Sequence, residues 1–338
     1  MCCPVCAGHV PHANVADELA LLLRATSGHA SPPLRFLGPP VSGAGNRRGA
    51  RVFAMPHLPA PMYLRPTDLN EALRALKARP LCVLAGGTDF YPQRVGRPLR
   101  EDVLDITALP GLRGTELRDD TFAIGGLTTW SDIVESPLPQ WLNGLKQAAR
   151  EVGGVQIQNA GTLAGNICNA SPAADGVPVL LALDAQVELS ALDAVRRMPL
   201  QDFIVGSGRT QCRRDELLTR ILIPNRPMQS RSIFLKLGAR RFLVISIAMV
   251  TVTLDTDAQG NVMRAAVAVG ACSEVAQRLP KLEAALVGHP LTPDLAQIAL
   301  PVHVAHLKPI SDIRGTAQYR SDAALTLVRR ALAEVTLD

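Results

Sequence analysis

Leu84-Ala85-Gly86-Gly87-Thr88-Asp89-Phe90 and, further on, Thr162-Leu163-Ala164-Gly165-Asn166 are the stretches on which the reading of this chain turns. In the first, a short apolar run from Leu81 to Ala85 ends in two glycines. Successive backbone N–H groups there meet an anion with no Cβ in the way, and Thr88 adds a hydroxyl donor. That outlines a phosphate cradle. It is neither the dinucleotide fingerprint Gly-x-Gly-x-x-Gly nor a P-loop, since no Lys follows. Asp89 is out of place in a bare phosphate grip, because a carboxylate about 4 Å from a phosphate charge costs roughly 1 kcal/mol in water and about 4 kcal/mol at an effective dielectric of 20. It is expected to turn away and accept loop N–H bonds. The plain alternative for the whole motif is a tight turn.

The second stretch offers small residues with Thr and Asn side chains, which hold a diphosphate by neutral hydrogen bonds without a cationic clamp. It leads through Asn169-Ala170-Ser171-Pro172 to Asp175, a carboxylate suited to accept from ribityl or ribose hydroxyls. Its alternative is a structural turn with Asx bonds. Residues 153–172 as a whole break every periodic pattern and read as a long functional loop or a disordered one.

Around these stretches the chain reads as alternating short elements. Order is expected from Tyr63. Asp68-Leu69-Asn70-Glu71 resembles a capping box opening a helix to about Arg79, with Leu69, Ala72, Leu73 and Leu76 on one face. Strands are expected at Val103–Ile106, Thr121–Gly125, Leu217–Ile223 and Ile233–Leu237, and a helix from about Leu138 to Val152. Ile245–Asp255 and Val262–Gly270 read as a hairpin around Ala258-Gln259-Gly260-Asn261. Helices follow at about Val275–Val287, Pro293–Leu300 and Arg320–Val335. Pro224-Asn225-Arg226-Pro227 marks a boundary, which divides the chain into an extension (1–54), a first domain (55–227) and a second (228–338), the last an antiparallel sheet backed by helices.

Composition excludes several classes. At 338 residues with 47% apolar side chains, the chain is neither a disordered polymer nor a small disulfide scaffold. Five arginines against two acids in residues 1–54 leave 30 basic against 28 acidic residues for the rest, so the body is almost neutral and no basic run tracks a nucleic acid. No apolar stretch approaches the roughly 20 residues of a membrane span, and the start lacks a secretory pattern. Seven cysteines, an odd count with wide gaps after the first three, imply free thiols in a reducing, cytoplasmic setting. Nine of the 26 prolines fall in residues 1–61, which marks that end as having little fixed structure. Cys2, Cys3 and Cys6 with His9 and His12 match no closed four-ligand zinc spacing.

Taken together, the two glycine-bearing stretches resemble those of the FAD subunit (medium chain) of the molybdenum hydroxylases, the xanthine dehydrogenase and carbon monoxide dehydrogenase family. Further matching features run in order: Ile124-Gly125-Gly126-Leu127-Thr128-Thr129, Asp215-Glu216 before Leu217-Leu218, Phe234 to Arg240, and Ser311-Asp312-Ile313-Arg314 with Tyr319-Arg320. The resemblance covers more than four-fifths of the chain. It implies an α+β fold: an FAD-binding domain of the vanillyl-alcohol oxidase type made of two α/β subdomains, then a C-terminal α+β domain of antiparallel sheet and helices. By carry-over, Val83 to Phe90 and Thr162 to Asn166 wrap the FAD diphosphate, Asp175 bonds the cofactor's sugar-like chain, and Leu218 and Lys236 lie near the flavin ring. For Lys236 the alternative is a solvated strand residue. Ala164 stands where the family has glycine, which is tolerable if its φ stays negative. The first 54 residues have no family counterpart, and Met55 or Met62 stands where such chains commonly begin.

The resemblance also implies a division of labour. A molybdopterin-binding large subunit oxidises the substrate, a small subunit with two two-iron two-sulfur centres relays the electrons, and FAD on this chain collects them for NAD+ or another acceptor. No catalytic side chain and no metal ligand is assigned. Two such clusters need eight cysteines, which seven scattered ones cannot supply. Two other readings compete: a stand-alone flavin reductase of the same fold, and a non-catalytic nucleotide-binding or assembly module.

Overall fold

The structure, a computed structural model, describes residues 61–118, 120–241 and 243–337. The extension 1–54 and its cysteines and histidines lie outside the described residues.

Three cores organise the described chain. The first lies under a three-stranded parallel sheet of order β1-β3-β2, made of β1 (Tyr63–Leu64), β2 (Cys82–Leu84) and β3 (Val103–Asp105). Against it packs α1 (Leu69–Ala78), whose Leu73 and Leu76 meet Leu104 and Ile106. The Asp68 side chain accepts from the Glu71 N–H at 2.9 Å, so only half of the expected capping box forms. Parallel strands need a long crossover, and here the return from β2 to β3 is the cradle-bearing segment.

A five-stranded antiparallel sheet follows, of order β4-β5-β10-β6-β7. It consists of β4 (Thr115–Arg118), β5 (Thr121–Gly125), β6 (Gln186–Ser190), β7 (Val195–Pro199) and β10 (Leu217–Pro224), with a small pair, β8 (Ile204–Gly206) and β9 (Arg209–Thr210), between. Helices α2 (Trp130–Glu135), α3 (Asn143–Glu151), α4 (Val155–Ala160), α5 (Leu163–Asn169) and α6 (Gly176–Ala182) build the largest core with it, around Trp130, Trp141 and Phe203. The helix expected over 138–152 is a 3-10 turn at Gln140–Leu142 and then α3. Residues 153–172, expected as one aperiodic stretch, instead hold α4 and α5. Both are under eight residues long, at most about two turns, too few for an apolar face to recur.

The third layer is an antiparallel sheet of order β11-β12-β13-β14: β11 (Arg231–Leu237), β12 (Ala248–Thr256), β13 (Val262–Gly270) and β14 (Gln277–Arg278). Its central strands alternate between two buried faces. Val250, Val252 and Val267 join Leu282 of α7 (Pro280–Leu286) and Val328 and Leu332 of α8 (Ala317–Glu334), whereas Met249, Ala266 and Ala268 join the core containing α6. The helix expected from Val275 thus starts only at Pro280, after β14, and that expected over 293–300 is the single turn Leu295–Ile298. The fold is α+β, as the sequence led us to expect. At the Pro224–Pro227 corner Arg226 is only 3% exposed and donates to Asp255 and Asp184, so a buried ion pair ties the corner down. No helix among the described residues is long and apolar enough to cross a membrane.

The Ser311–Arg314 and Tyr319-Arg320 features have a structural explanation. The Asp312 carboxylate accepts from the Arg314 N–H at 2.8 Å, from Arg314 Nη1 at 2.9 Å and from Arg320 Nη2 at 2.8 Å, and the buried Arg320 also donates to the carbonyls of Ile247 and Ala271. Burial alone would push this carboxyl up; the Arg314 amide and the two guanidiniums outweigh it and hold it down at about 2. A carboxyl lowered in the folded state stabilises fully above its unfolded value, near pH 4, and loses that contribution as the pH falls to about 2. Wild type should therefore lose up to about 2 kcal/mol more stability than Asp312→Asn between pH 5 and pH 2, measured as the difference in urea midpoints.

Candidate functional site

The two glycine-bearing stretches meet. Gly86 packs so closely on the end of α4 that an ideal Cβ built on it would lie 1.8 Å from the Ala160 carbonyl oxygen and 3.0 Å from Gly161 Cα. A Cβ on Gly161 would in turn lie 3.3 Å from Thr88 Oγ1. Gly87 has φ +74°, a left-handed conformation that favours glycine. Only glycines let these backbones touch.

A third segment, which the sequence reading matched to the family without giving it a role, holds the second stretch in place. Gly125 and Gly126 press on neighbouring backbone: a Cβ on Gly126 would sit 2.5 Å from the Leu218 carbonyl oxygen. Thr129 then caps α2 in a reciprocal box with Asp132. The Trp130 N–H donates to the Gly161 carbonyl at 3.1 Å, and the Leu163 N–H to the Thr128 carbonyl at 3.1 Å. The buried Trp130 ring closes against both Gly161 and Gly176.

The cradle's donors are unspent. Among the described residues, the backbone N–H groups of Gly86, Gly87, Thr88 and Asp89 donate to no protein acceptor, nor do those of Thr162 and Ala164. Half-buried amides of a folded chain are normally paired. Six uncommitted ones on two segments in contact are what an anionic diphosphate requires, and the residues therefore fit FAD's diphosphate. Asp89 does not accept loop N–H bonds as expected; its carboxyl, pushed up by partial burial, has no hydrogen-bond donor among the described residues, which leaves the amides open.

Thr162 to Asn166 is not a loop but a cap and first helical turn. The Thr162 hydroxyl caps α5 by accepting from the Gly165 N–H at 2.9 Å. Ala164 is helical and 4% exposed, so its methyl is accommodated at negative φ and fills the core. Ala164→Gly should keep FAD while lowering stability by about 1 kcal/mol, readable from flavin content and the thermal midpoint together.

Asn166 Oδ1 accepts from the Gly176 N–H at 3.2 Å, which joins the second stretch to Asp175. Asp175 is 6% exposed. One of its oxygens takes Lys236 Nζ at 2.7 Å and the other the Ser246 hydroxyl at 2.6 Å. Burial pushes the Asp175 carboxyl up, with the Lys236 ammonium and the Ser246 hydroxyl pulling it back. Lys236 is not a solvated strand residue: its side chain is 5% exposed and also donates to the Glu151 carbonyl at 3.0 Å. The Leu218 side chain lies in the main core, and its carbonyl lies against Gly126. Thus Val83 to Phe90, Thr162 to Asn166, Asp175 and Lys236 form one continuous chain of contacts. Thr128, Thr129, Trp130 and Ser246 belong to it too. The Gly-Gly-Leu-Thr-Thr motif signalled the threonines; nothing local signals Ser246.

Cys82, Cys212 and Cys272 are free thiols, and burial pushes Cys212 up to about 12 and Cys272 to about 11, which makes these last two poor nucleophiles. No group of three or more His, Cys, Asp or Glu side chains that could hold a metal ion occurs among the described residues.

Residues 54–226 match the family described as the FAD binding domain in molybdopterin dehydrogenase, and residues 234–335 match the CO dehydrogenase flavoprotein C-terminal domain. The chain is 30% identical to the nicotinate dehydrogenase FAD-subunit of Eubacterium barkeri, over 81% of this chain and 95% of that protein. It is 32% identical to the nicotine 6-hydroxylase medium subunit of Paenarthrobacter nicotinovorans, over 82% and 98%. Among solved structures, carbon monoxide dehydrogenase from Hydrogenophaga pseudoflava superposes with a TM-score of 0.74 at 28% identity, covering 82% of this chain and 98% of that one. These similarities establish that the chain belongs to the FAD-binding medium subunits of the molybdenum hydroxylases.

Proposed function

We propose that this chain takes electrons from the iron–sulfur centres of a small partner subunit, in a complex whose molybdopterin-binding large subunit oxidises the substrate, and passes them to NAD+ or another acceptor. Bound FAD supplies the conversion between one-electron and two-electron transfer. The protein's share is to bind and orient. Val83 to Phe90 and Thr162 to Asn166 hold the diphosphate through main-chain amides, with Thr88 adding a hydroxyl. Asp175, Leu218 and Lys236 stand on the side of the flavin ring and its sugar-like chain. There the buried ammonium keeps a positive charge close to the ring, and Ser246 and Lys236 fix the carboxylate that meets the cofactor's hydroxyls. Free thiols at Cys82, Cys212 and Cys272 suit a cytoplasmic setting.

The observation that carries this reading is the contact of Gly86 with Ala160 and Gly161, which gathers six unspent amides from two distant stretches. Purified chain should be yellow and release one FAD on denaturation, and the complex reduced anaerobically by its substrate should form NADH from added NAD+. A colourless, folded chain that takes up no FAD sinks the binding site. A flavin-replete complex that reduces only oxygen or a quinone removes NAD+ and leaves the electron route standing.

A further inference from the structure

We propose that Tyr91 is a stacking platform for the adenine ring of the cofactor, at the end of the cradle opposite Lys236; this rests on the flavin-binding reading above. Tyr91 follows directly on Phe90, and its ring takes the space that a side chain at residue 87 would need. An ideal Cβ on Gly87 would lie 2.6 Å from Tyr91 Cε2 and 2.8 Å from Cδ2. The ring also stands edge-on to Phe90, with centroids 5.2 Å apart and planes at 84°. Phe90 is held in turn by Arg94, whose guanidinium carbon lies 3.9 Å from the ring centre and whose Nη1 donates to the Phe90 carbonyl at 2.9 Å. The Tyr91 N–H closes the turn on the Gly87 carbonyl at 3.1 Å.

Single exposed apolar residues are ordinary. Tyr91 differs because its ring is packed against Gly87 and Phe90 while remaining 60% exposed, and because its hydroxyl makes no hydrogen bond among the described residues. The ring is thus not retained for its hydroxyl or for core filling. What it offers is an aromatic face already fixed beside the unspent amides of Gly86 to Asp89, so that stacking there costs little ordering entropy. The ligand this suits is a planar heteroaromatic ring joined to a diphosphate.

The order of contacts decides which ring. Tyr91 packs on Gly87, Gly86 on Ala160 and Gly161, Asn166 on Gly176, and Asp175 on Lys236. Lys236, on the side given to the flavin ring, and Tyr91 are the two ends of that series, which leaves Tyr91 the adenine.

The test titrates the full chain, freed of flavin, with FAD, ADP and inorganic pyrophosphate, in wild type, Tyr91→Phe and Tyr91→Leu. Stacking on an aromatic ring predicts that Tyr91→Leu raises the dissociation constants of FAD and ADP roughly 5- to 100-fold, that pyrophosphate is unchanged, and that Tyr91→Phe restores wild-type values. Unchanged FAD and ADP binding in Tyr91→Leu overturns the proposal. So does an equal loss for pyrophosphate, since the ring would then merely prop the amides. Wild type that binds ADP but no FAD refutes the flavoprotein reading while the ADP comparison still decides the role of Tyr91, and wild type that binds neither refutes both.

Discussion

Gly86→Ala should leave the chain nearly free of FAD and lower its unfolding free energy by about 2–4 kcal/mol. The added methyl carbon would start 1.8 Å from a backbone carbonyl oxygen, and no flexible side-chain end is available to give way. Relief requires that the first stretch separate from the end of α4, and separation disperses the six amides. Gly87→Val should act through a different route. Its φ of +74° strains any L side chain, and the branch meets the Tyr91 side chain instead of backbone. We therefore expect FAD retention to fall in the order wild type, Gly87→Val, Gly86→Ala, with Thr326→Val on the exposed side of α8 equal to wild type. Flavin content per chain and urea unfolding measure both quantities, and full flavin in Gly86→Ala would show that the contact is not what assembles the cradle.

Lys236→Met should cost about 3–5 kcal/mol, because it strands a buried Asp175 carboxylate with only the Ser246 hydroxyl for company. Replacing both members, with Asp175→Leu and Lys236→Met together, should recover most of that loss, since a buried ion pair is often no more stabilising than apolar side chains of similar volume. The double variant separates stability from function. If the pair serves the cofactor, the restored chain will still hold FAD more weakly than wild type. If the restored chain binds FAD as tightly as wild type, the pair is scaffolding and the roles given to Asp175 and Lys236 fail.

How far the sequence could be read depended on how local each feature is. The hairpin of β12 and β13 was legible because strand alternation and its turn residues lie within one short window. The family was legible only from the two glycine-bearing stretches taken together, because each alone left a turn as its alternative. Their contact was not, since nothing in Gly86 names Ala160 as its neighbour. The aperiodic reading of residues 153–172 missed α4 and α5 because helices of six and seven residues complete too few turns to show a period. Asp89 was misjudged for a related reason: a carboxylate among loop amides looks like their acceptor until the fold turns it away from them. Ser246 had no signal at all, as its only distinction is a bond to a carboxylate far away in sequence.

The sheet of β11 to β14 is roofed on one side by α7 and α8 and on the other by α6, a helix contributed by an earlier part of the chain. Neither region can be traded between proteins like a bead on a string, because excising one strips the other of a wall it cannot replace.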